Sequence, residues 1–211
     1  MSNGDKLNFS GVMIIICSLI LLFFSVQNIS IVTSIPPAFQ GTFWYLESHI
    51  VAFFLIILGL LTLFTSIGFF SGYRKFEFPT KGNVAGALFF LESIGFFVLT
   101  AIYLIGGEIS KSIGIPFLFT AVIGIFSSFG AISYFSNTEN SIGVISGVFI
   151  FMCTIMIAFL LAPGIQLKSV SFLGQEGPLF ATFAAFSFLS ICYILMGMCF
   201  ISQHRLSSDQ V

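Results

Sequence analysis

Six long apolar runs constrain this chain more than any other feature of its sequence. Each run has about 20 residues or more, and its apolar residues follow one another without alternation. A helix that crosses a bilayer needs roughly 20 such residues, whereas a transmembrane strand needs roughly 10 in alternation. The sequence therefore predicts an all-α integral membrane protein, with a single six-helix transmembrane domain over residues 1–211 and no soluble domain. The predicted spans are 9–31, 50–73, 83–105, 113–135, 142–162 and 179–201.

The composition agrees with a protein whose surface faces lipid. Hydrophobic residues make up 57% of the chain and charged residues only 7%, whereas a domain in water carries roughly 25% charged residues. Seven Lys and Arg against eight Asp and Glu give a net charge of -1, which leaves no basic surface for nucleic acid. The expected surroundings are a lipid bilayer, and no nucleic-acid partner is expected.

The orientation follows from the basic residues in the short loops and tails, because these residues stay on the cytoplasmic side. Five of the seven lie on one side of the predicted spans, and only Lys111 and Lys168 lie on the other. The sequence therefore predicts that both termini are cytoplasmic. The membrane is the cytoplasmic one if the source is prokaryotic, and its compartment is open if the source is eukaryotic. The five residues on the cytoplasmic side are Lys6, Arg74, Lys75, Lys81 and Arg205.

The first, third and fifth spans align without a gap. The alignment brings Cys17 and Cys153 onto Glu92, at equal depth in the membrane. This pattern favours three helical hairpins derived from one unit. The alternative is that apolar sequences rich in Gly, Ser and Phe align by chance. The three-hairpin plan is similar in outline to the small acid-resistance membrane proteins of the HdeD type, and the similarity concerns only the number and order of the spans.

Glu92 is the one charged residue deep in a predicted span. At a rise of roughly 1.5 Å per residue it lies near the bilayer midplane. An acid at this depth is usually turned towards the interior of the bundle and is often functional. No Lys, Arg or His shares its helix face, so burial favours the neutral form, which can donate one hydrogen bond.

Two interpretations of Glu92 remain open. It exchanges a proton on a permeation or coupling path, or it holds neighbouring helices together as a protonated hydrogen-bond donor. Several residues at similar depth are possible neighbours in either case. They are Ser18, Ser93, Thr154, Cys17 and Cys153, with Ser127 or Ser128 as further candidates.

Glu47 and His49 stand at the predicted external mouth of the second span. A His beside a carboxylate can respond to pH near neutrality, although polar residues are also ordinary at the end of a span. The only other histidine, His204, is predicted to lie on the opposite side of the membrane. The two histidines therefore cannot share a site in one subunit, and the sequence predicts no metal site, no cofactor and no catalytic residues.

Pairs of glycines four residues apart occur at the predicted cytoplasmic ends of three spans. Such spacing lets helices approach closely in lipid. It predicts packing within the chain, with a homodimer face as the alternative. The pairs are Gly68 with Gly72, Gly82 with Gly86, and Gly143 with Gly147.

These features predict a membrane component that is not an enzyme. It would be accessory, structural or stress-related, and would act through helix, lipid or partner contacts. A membrane-protein partner or a homo-oligomer fits this role. The alternative function is a small proton-linked transporter or channel that uses Glu92, for which the few polar residues in the spans offer a sparse route.

Overall fold

The chain folds into six long α-helices in a computed structural model, which describes residues 3–34, 40–73, 79–105, 114–161 and 177–208. No strand occurs within these ranges. All six helices are long and apolar enough to cross a membrane, which confirms the predicted class and number of spans. The helices are α1 (Asn3–Ser34), α2 (Gln40–Tyr73), α3 (Pro79–Ile105), α4 (Gly114–Asn137), α5 (Ser141–Leu161) and α6 (Gly177–Ser208).

Helices are favoured here because lipid offers no hydrogen-bond partners, so each backbone amide must bond within its own segment. The outward faces carry large apolar side chains, such as Phe23, Leu118 and Met152. Several helices run beyond the predicted spans, and α2 begins at Gln40, ten residues before the predicted start at Ile50. The apolar run thus marks the part of a helix that lies in hydrocarbon rather than its full length.

The helices form a closed ring. Each helix packs against its neighbours in the chain, and α6 closes the ring against α1. The most extensive contacts join α2 to α3 and α1 to α6, and neither of these pairs belongs to a predicted hairpin. The grouping into three hairpins therefore stays a prediction.

The aligned positions of α1, α3 and α5 face the same way. Cys17, Glu92 and Cys153 are only 5%, 3% and 5% exposed. The residues directly before them in the chain are 44%, 42% and 59% exposed. The three odd helices thus turn equivalent faces to the centre, as a repeated unit would.

The connection between α4 and α5 is tight and fully described. Glu139 has a positive φ of 52°, and the Asn140 amide donates back to the Phe135 carbonyl at 3.0 Å. This geometry is a Schellman ending of α4. The Asn140 side chain then accepts from the Gly143 amide at 3.0 Å and caps the start of α5.

Candidate functional site

Glu92 lies at the centre of the bundle on α3. Its side chain is 3% exposed, and it is the only charged residue among the buried residues of the described ranges. Its Oε2 atom lies 2.5 Å from Oγ of Ser127 on α4. The acid therefore links two helices by a short hydrogen bond.

The surroundings of Ser127 indicate which partner carries the proton. Its Oγ atom also lies 3.0 Å from the Gly124 carbonyl oxygen, and a hydroxyl has only one hydrogen to donate. Both contacts are full hydrogen bonds if neutral Glu92 donates to Ser127 and Ser127 donates to Gly124. An ionised Glu92 would also lack a cation, since no described Lys, Arg or His lines this site.

Gly124 leaves space for this arrangement. A Cβ atom on Gly124 would lie 2.9 Å from Glu92 Oε1 and 2.9 Å from the Thr154 methyl group. Both distances are too short for unbonded atoms. The bare backbone of α4 therefore lets the carboxyl group of α3 and the threonine of α5 meet.

A cavity of about 50 Å³ extends from Glu92 towards the end of the bundle where α3 ends and α4 begins. A cavity of this volume can hold a few water molecules. Five of the six helices contribute to its wall, which is largely apolar. The lining residues are Leu55, Leu58, Glu92, Phe96, Leu99, Phe117, Thr120, Ala121, Thr154, Ile157, Ala158, Phe186, Leu189 and Tyr193.

Two hydroxyl groups in this lining have unused hydrogen-bonding capacity. Neither Tyr193 Oη nor Thr154 Oγ1 is hydrogen-bonded to any residue that the structure describes, and Tyr193 is 2% exposed. Threonines in the other spans instead donate to the carbonyl four residues earlier, as do Thr62, Thr65, Thr100 and Thr120. Glu92 Oε1 likewise has no hydrogen-bond partner among the described residues, so three residues of the lining each carry a polar atom without such a partner.

On the side of Glu92 that lies towards the start of α3, an aromatic cluster fills the bundle directly below the carboxyl group. It consists of Phe69, Phe89, Tyr134, Phe135 and Phe200. Phe89 precedes Glu92 by three residues, which is roughly 4.5 Å along α3. All five side chains are at most 2% exposed. The ring of Phe69 lies between 5.1 and 5.6 Å from each of the other four rings. The cavity is therefore closed on this side by packed rings.

The residues predicted to neighbour Glu92 differ in where their side chains lie. Thr154 lines the cavity with it. Ser93 points away and donates to the Gly59 carbonyl of α2 at 3.0 Å, while Ser18 donates to Ile14 within α1 at 2.6 Å. Cys17 and Cys153 are buried in the core as free thiols, and neither lines the cavity.

The predicted glycine pairs lie against other helices of the same chain where their surroundings are described. Gly68 faces Phe200 of α6, Gly86 faces Phe70 of α2, and Gly147 faces the backbone of Ile132 on α4. Gly143 faces the Phe135 ring of α4, and Gly82 is buried. Gly72 belongs to α2, but its surroundings lie outside the described residues. The choice between internal packing and a homodimer face stays a prediction.

Glu47 and His49 belong to the first part of α2. Their side chains lie outside the described residues. The pH-responsive pair therefore stays a prediction. Among the side chains that are described, no three His, Cys, Asp or Glu residues come together as metal ligands would, and the expectation of no metal site also stays a prediction.

Comparison with known proteins gives no match for this chain. No family model, no curated protein and no solved structure matches it.

The bond between Ser127 and Glu92 can be tested with an adjacent serine as control. Ser127→Ala removes the partner of a buried carboxyl group, and we expect the free energy of unfolding to fall by about 1 kcal/mol. Ser128 donates only to the Gly124 carbonyl of its own helix, at 2.8 Å, so Ser128→Ala should change stability by less than about 0.5 kcal/mol. Unfolding titrations in mixed micelles measure both. Equal losses for the two variants would contradict a special role for the Ser127 bond.

Proposed function

We propose that this chain is a non-catalytic, multi-pass membrane component that acts through contacts of its helices with lipid and partner proteins. The observation that carries the proposal is the aromatic cluster, which fills the bundle directly below the cavity. A hydrophilic solute needs a lined polar route across the membrane. Packed rings lie on one side of Glu92, and a largely apolar cavity lies on the other. Neither side offers the row of polar groups that such a route needs.

We further propose how the chain is threaded through the membrane and how its helices assemble. Both termini are cytoplasmic, and the cavity opens towards the external half of the membrane. The three hairpins form one bundle, with its large apolar side chains turned outward to lipid or to a membrane-protein partner. The lipid-facing residues Phe23, Leu118 and Met152, which are between 57% and 65% exposed, support this assignment.

The second candidate is a small proton-linked transporter. One specific observation favours it: Glu92 lines the cavity, and its Oε1 atom has no hydrogen-bond partner in the described ranges. A carboxyl group in that position could exchange a proton with one side of the membrane. A complete cycle would also require the aromatic cluster to open.

Flux measurements separate the two functions. The purified protein is placed in liposomes that enclose a pH-sensitive dye, and a proton gradient is applied with and without a size series of small solutes. We expect the same permeability as in liposomes without protein, with an added proton ionophore as positive control. A protein-dependent proton flux that Glu92→Gln abolishes would overturn the proposal in favour of the transporter.

A further inference from the structure

Two of the four cysteines of this chain lie together in the interior of the bundle. Cys153 of α5 and Cys192 of α6 are 5% and 2% exposed, and a hydrogen bond joins their thiol groups. Both are free thiols in the structure. The two sulfur atoms therefore meet across the interface between α5 and α6.

The residues that follow the two cysteines place them at the same level of the bundle. Thr154 directly follows Cys153, and Tyr193 directly follows Cys192. Thr154 and Tyr193 line the same small cavity, so α5 and α6 bring these parts of the chain together. A cysteine side chain is short, and its sulfur reaches a second helix only where the two helices pack closely. The packing of α5 against α6 thus positions the pair.

The other two cysteines are separate from this pair. Cys199 of α6 follows Cys192 by seven residues, roughly 10.5 Å along the helix, and its sulfur lies 3.6 Å from the side-chain oxygen of Asn140. Cys17 of α1 is buried and forms no hydrogen bond with another thiol among the described residues. Cys17 and Cys199 therefore serve as internal controls.

We propose that Cys153 and Cys192 form a redox-sensitive site, at which a peroxide converts the two thiols into a disulfide that joins α5 to α6. One sulfur attacks an oxygen of hydrogen peroxide, the O–O bond breaks, and the thiol proton leaves with the released hydroxide as water. The attacked cysteine becomes a sulfenic acid. The second sulfur then attacks the sulfenic sulfur, and the S–S bond forms as a second water leaves. The two thiols lose two electrons, which the peroxide takes up.

The surroundings of the pair favour a disulfide over the other products of thiol oxidation. Both thiols belong to the apolar core of the bundle, where an ionised group without a cation is strongly disfavoured. Sulfinic and sulfonic acids are ionised near neutral pH, whereas a disulfide is neutral. The second thiol is also already in contact with the first, so it reacts before another peroxide molecule arrives.

Hydrogen peroxide fits the space beside the pair. It is neutral and little larger than water, and the cavity that Thr154 and Tyr193 line holds molecules of that size. The disulfide would tie α5 to α6 and so restrict the motion of α5, which packs against α4 and α6 in the ring. We therefore expect the oxidised protein to unfold at a higher concentration of SDS than the reduced protein.

Thiol counting with peptide mapping tests the site directly. The protein in lipid nanodiscs is treated with a concentration series of hydrogen peroxide, unfolded in SDS, and alkylated with N-ethylmaleimide. Mass spectrometry then locates the alkylated and the linked cysteines. We expect two of the four thiols to disappear together as one linked pair, Cys153 with Cys192, and dithiothreitol to restore both. Cys17 and Cys199 should remain alkylated.

Serine variants provide the matched controls. Cys153→Ser and Cys192→Ser should each abolish the linked peptide, and their unfolding in SDS should no longer depend on peroxide treatment. Cys17→Ser and Cys199→Ser should keep both the linked peptide and the shift in unfolding. The peptide map of the wild type stands by itself, so the test remains decisive if a variant fails to fold.

Two results would overturn this inference. One is the survival of all four thiols in folded protein under conditions that fully oxidise free glutathione. The other is oxidation without the expected link, either as a disulfide that contains Cys17 or Cys199 or as sulfinic acid at Cys153 or Cys192. Neither result depends on proton flux, so the inference and the proposed function can fail separately.

Discussion

Replacing Gly11 by alanine is expected to lower the free energy of unfolding by about 2–3 kcal/mol. Gly11 of α1 faces Gly197 of α6, and a Cβ on Gly11 would lie 2.7 Å from the Gly197 carbonyl oxygen. A Cβ on Gly197 would likewise lie 2.8 Å from the Gly11 carbonyl oxygen. The two backbones are in direct contact, so the added methyl group has to push whole helices apart. This crossing is also part of the contact that closes the ring.

Gly59→Ala is the matched control for this prediction. Gly59 is also buried in a span, but its added Cβ would meet the ring of Phe97, at 2.9 Å. Phe97 is 37% exposed, and its ring can turn towards lipid. We expect a change of less than about 0.5 kcal/mol. Titration with SDS in mixed micelles, followed by the fluorescence of the single tryptophan, measures both variants, and a small effect of Gly11→Ala would contradict the close crossing.

The sequence predicted the class of this fold because lipid makes span length a direct signal. A run of about 20 apolar residues is typical of a membrane-spanning helix and of few other structures. All six runs form helices in the structure. It also singled out Glu92, since a lone acid in such a run must turn away from lipid. The structure places that side chain inside the bundle.

The partners of Glu92 were harder to predict. Depth alone left Ser18, Ser93 and Thr154 as candidates, with Ser127 as one of two further ones. Depth does not specify which way a helix is rotated, and the rotation turned Ser93 towards α2. Ser127 meets Glu92 because Gly124, one turn earlier on α4, leaves room for the carboxyl group.

Two further residues, Tyr193 of the cavity lining and Gly197 of the crossing between α1 and α6, had weak signals in the sequence. Tyr193 is one tyrosine within an apolar run, and Gly197 has no glycine partner four residues away. The crossing of Gly11 and Gly197 joins the first and last helices, and a pattern within one span cannot show it. Contacts between distant helices depend on the order of the ring, which span positions alone do not determine.

Replacing Phe69 by alanine is expected to cost about 2–3 kcal/mol of stability. Its ring is fully buried and contacts Phe89, Tyr134, Phe135 and Phe200 on three other helices. The unfolded chain stays in lipid, which is as apolar as the core, so little of the cost comes from transfer out of water. It comes from the cavity that is left and from the lost contacts among the rings.

Phe90→Ala provides the comparison, because Phe90 follows Phe89 on α3 but is 46% exposed to the outside of the bundle. Lipid can fill the space that its ring leaves, and we expect a loss of less than about 0.5 kcal/mol. Phe69→Leu keeps most of the volume and should recover more than half of the stability that Phe69→Ala loses. The same SDS titration measures all three variants. Equal losses of stability for Phe69→Ala and Phe90→Ala would mean that the aromatic cluster does not hold the four helices together. The cluster could then not be what closes the bundle on this side of Glu92.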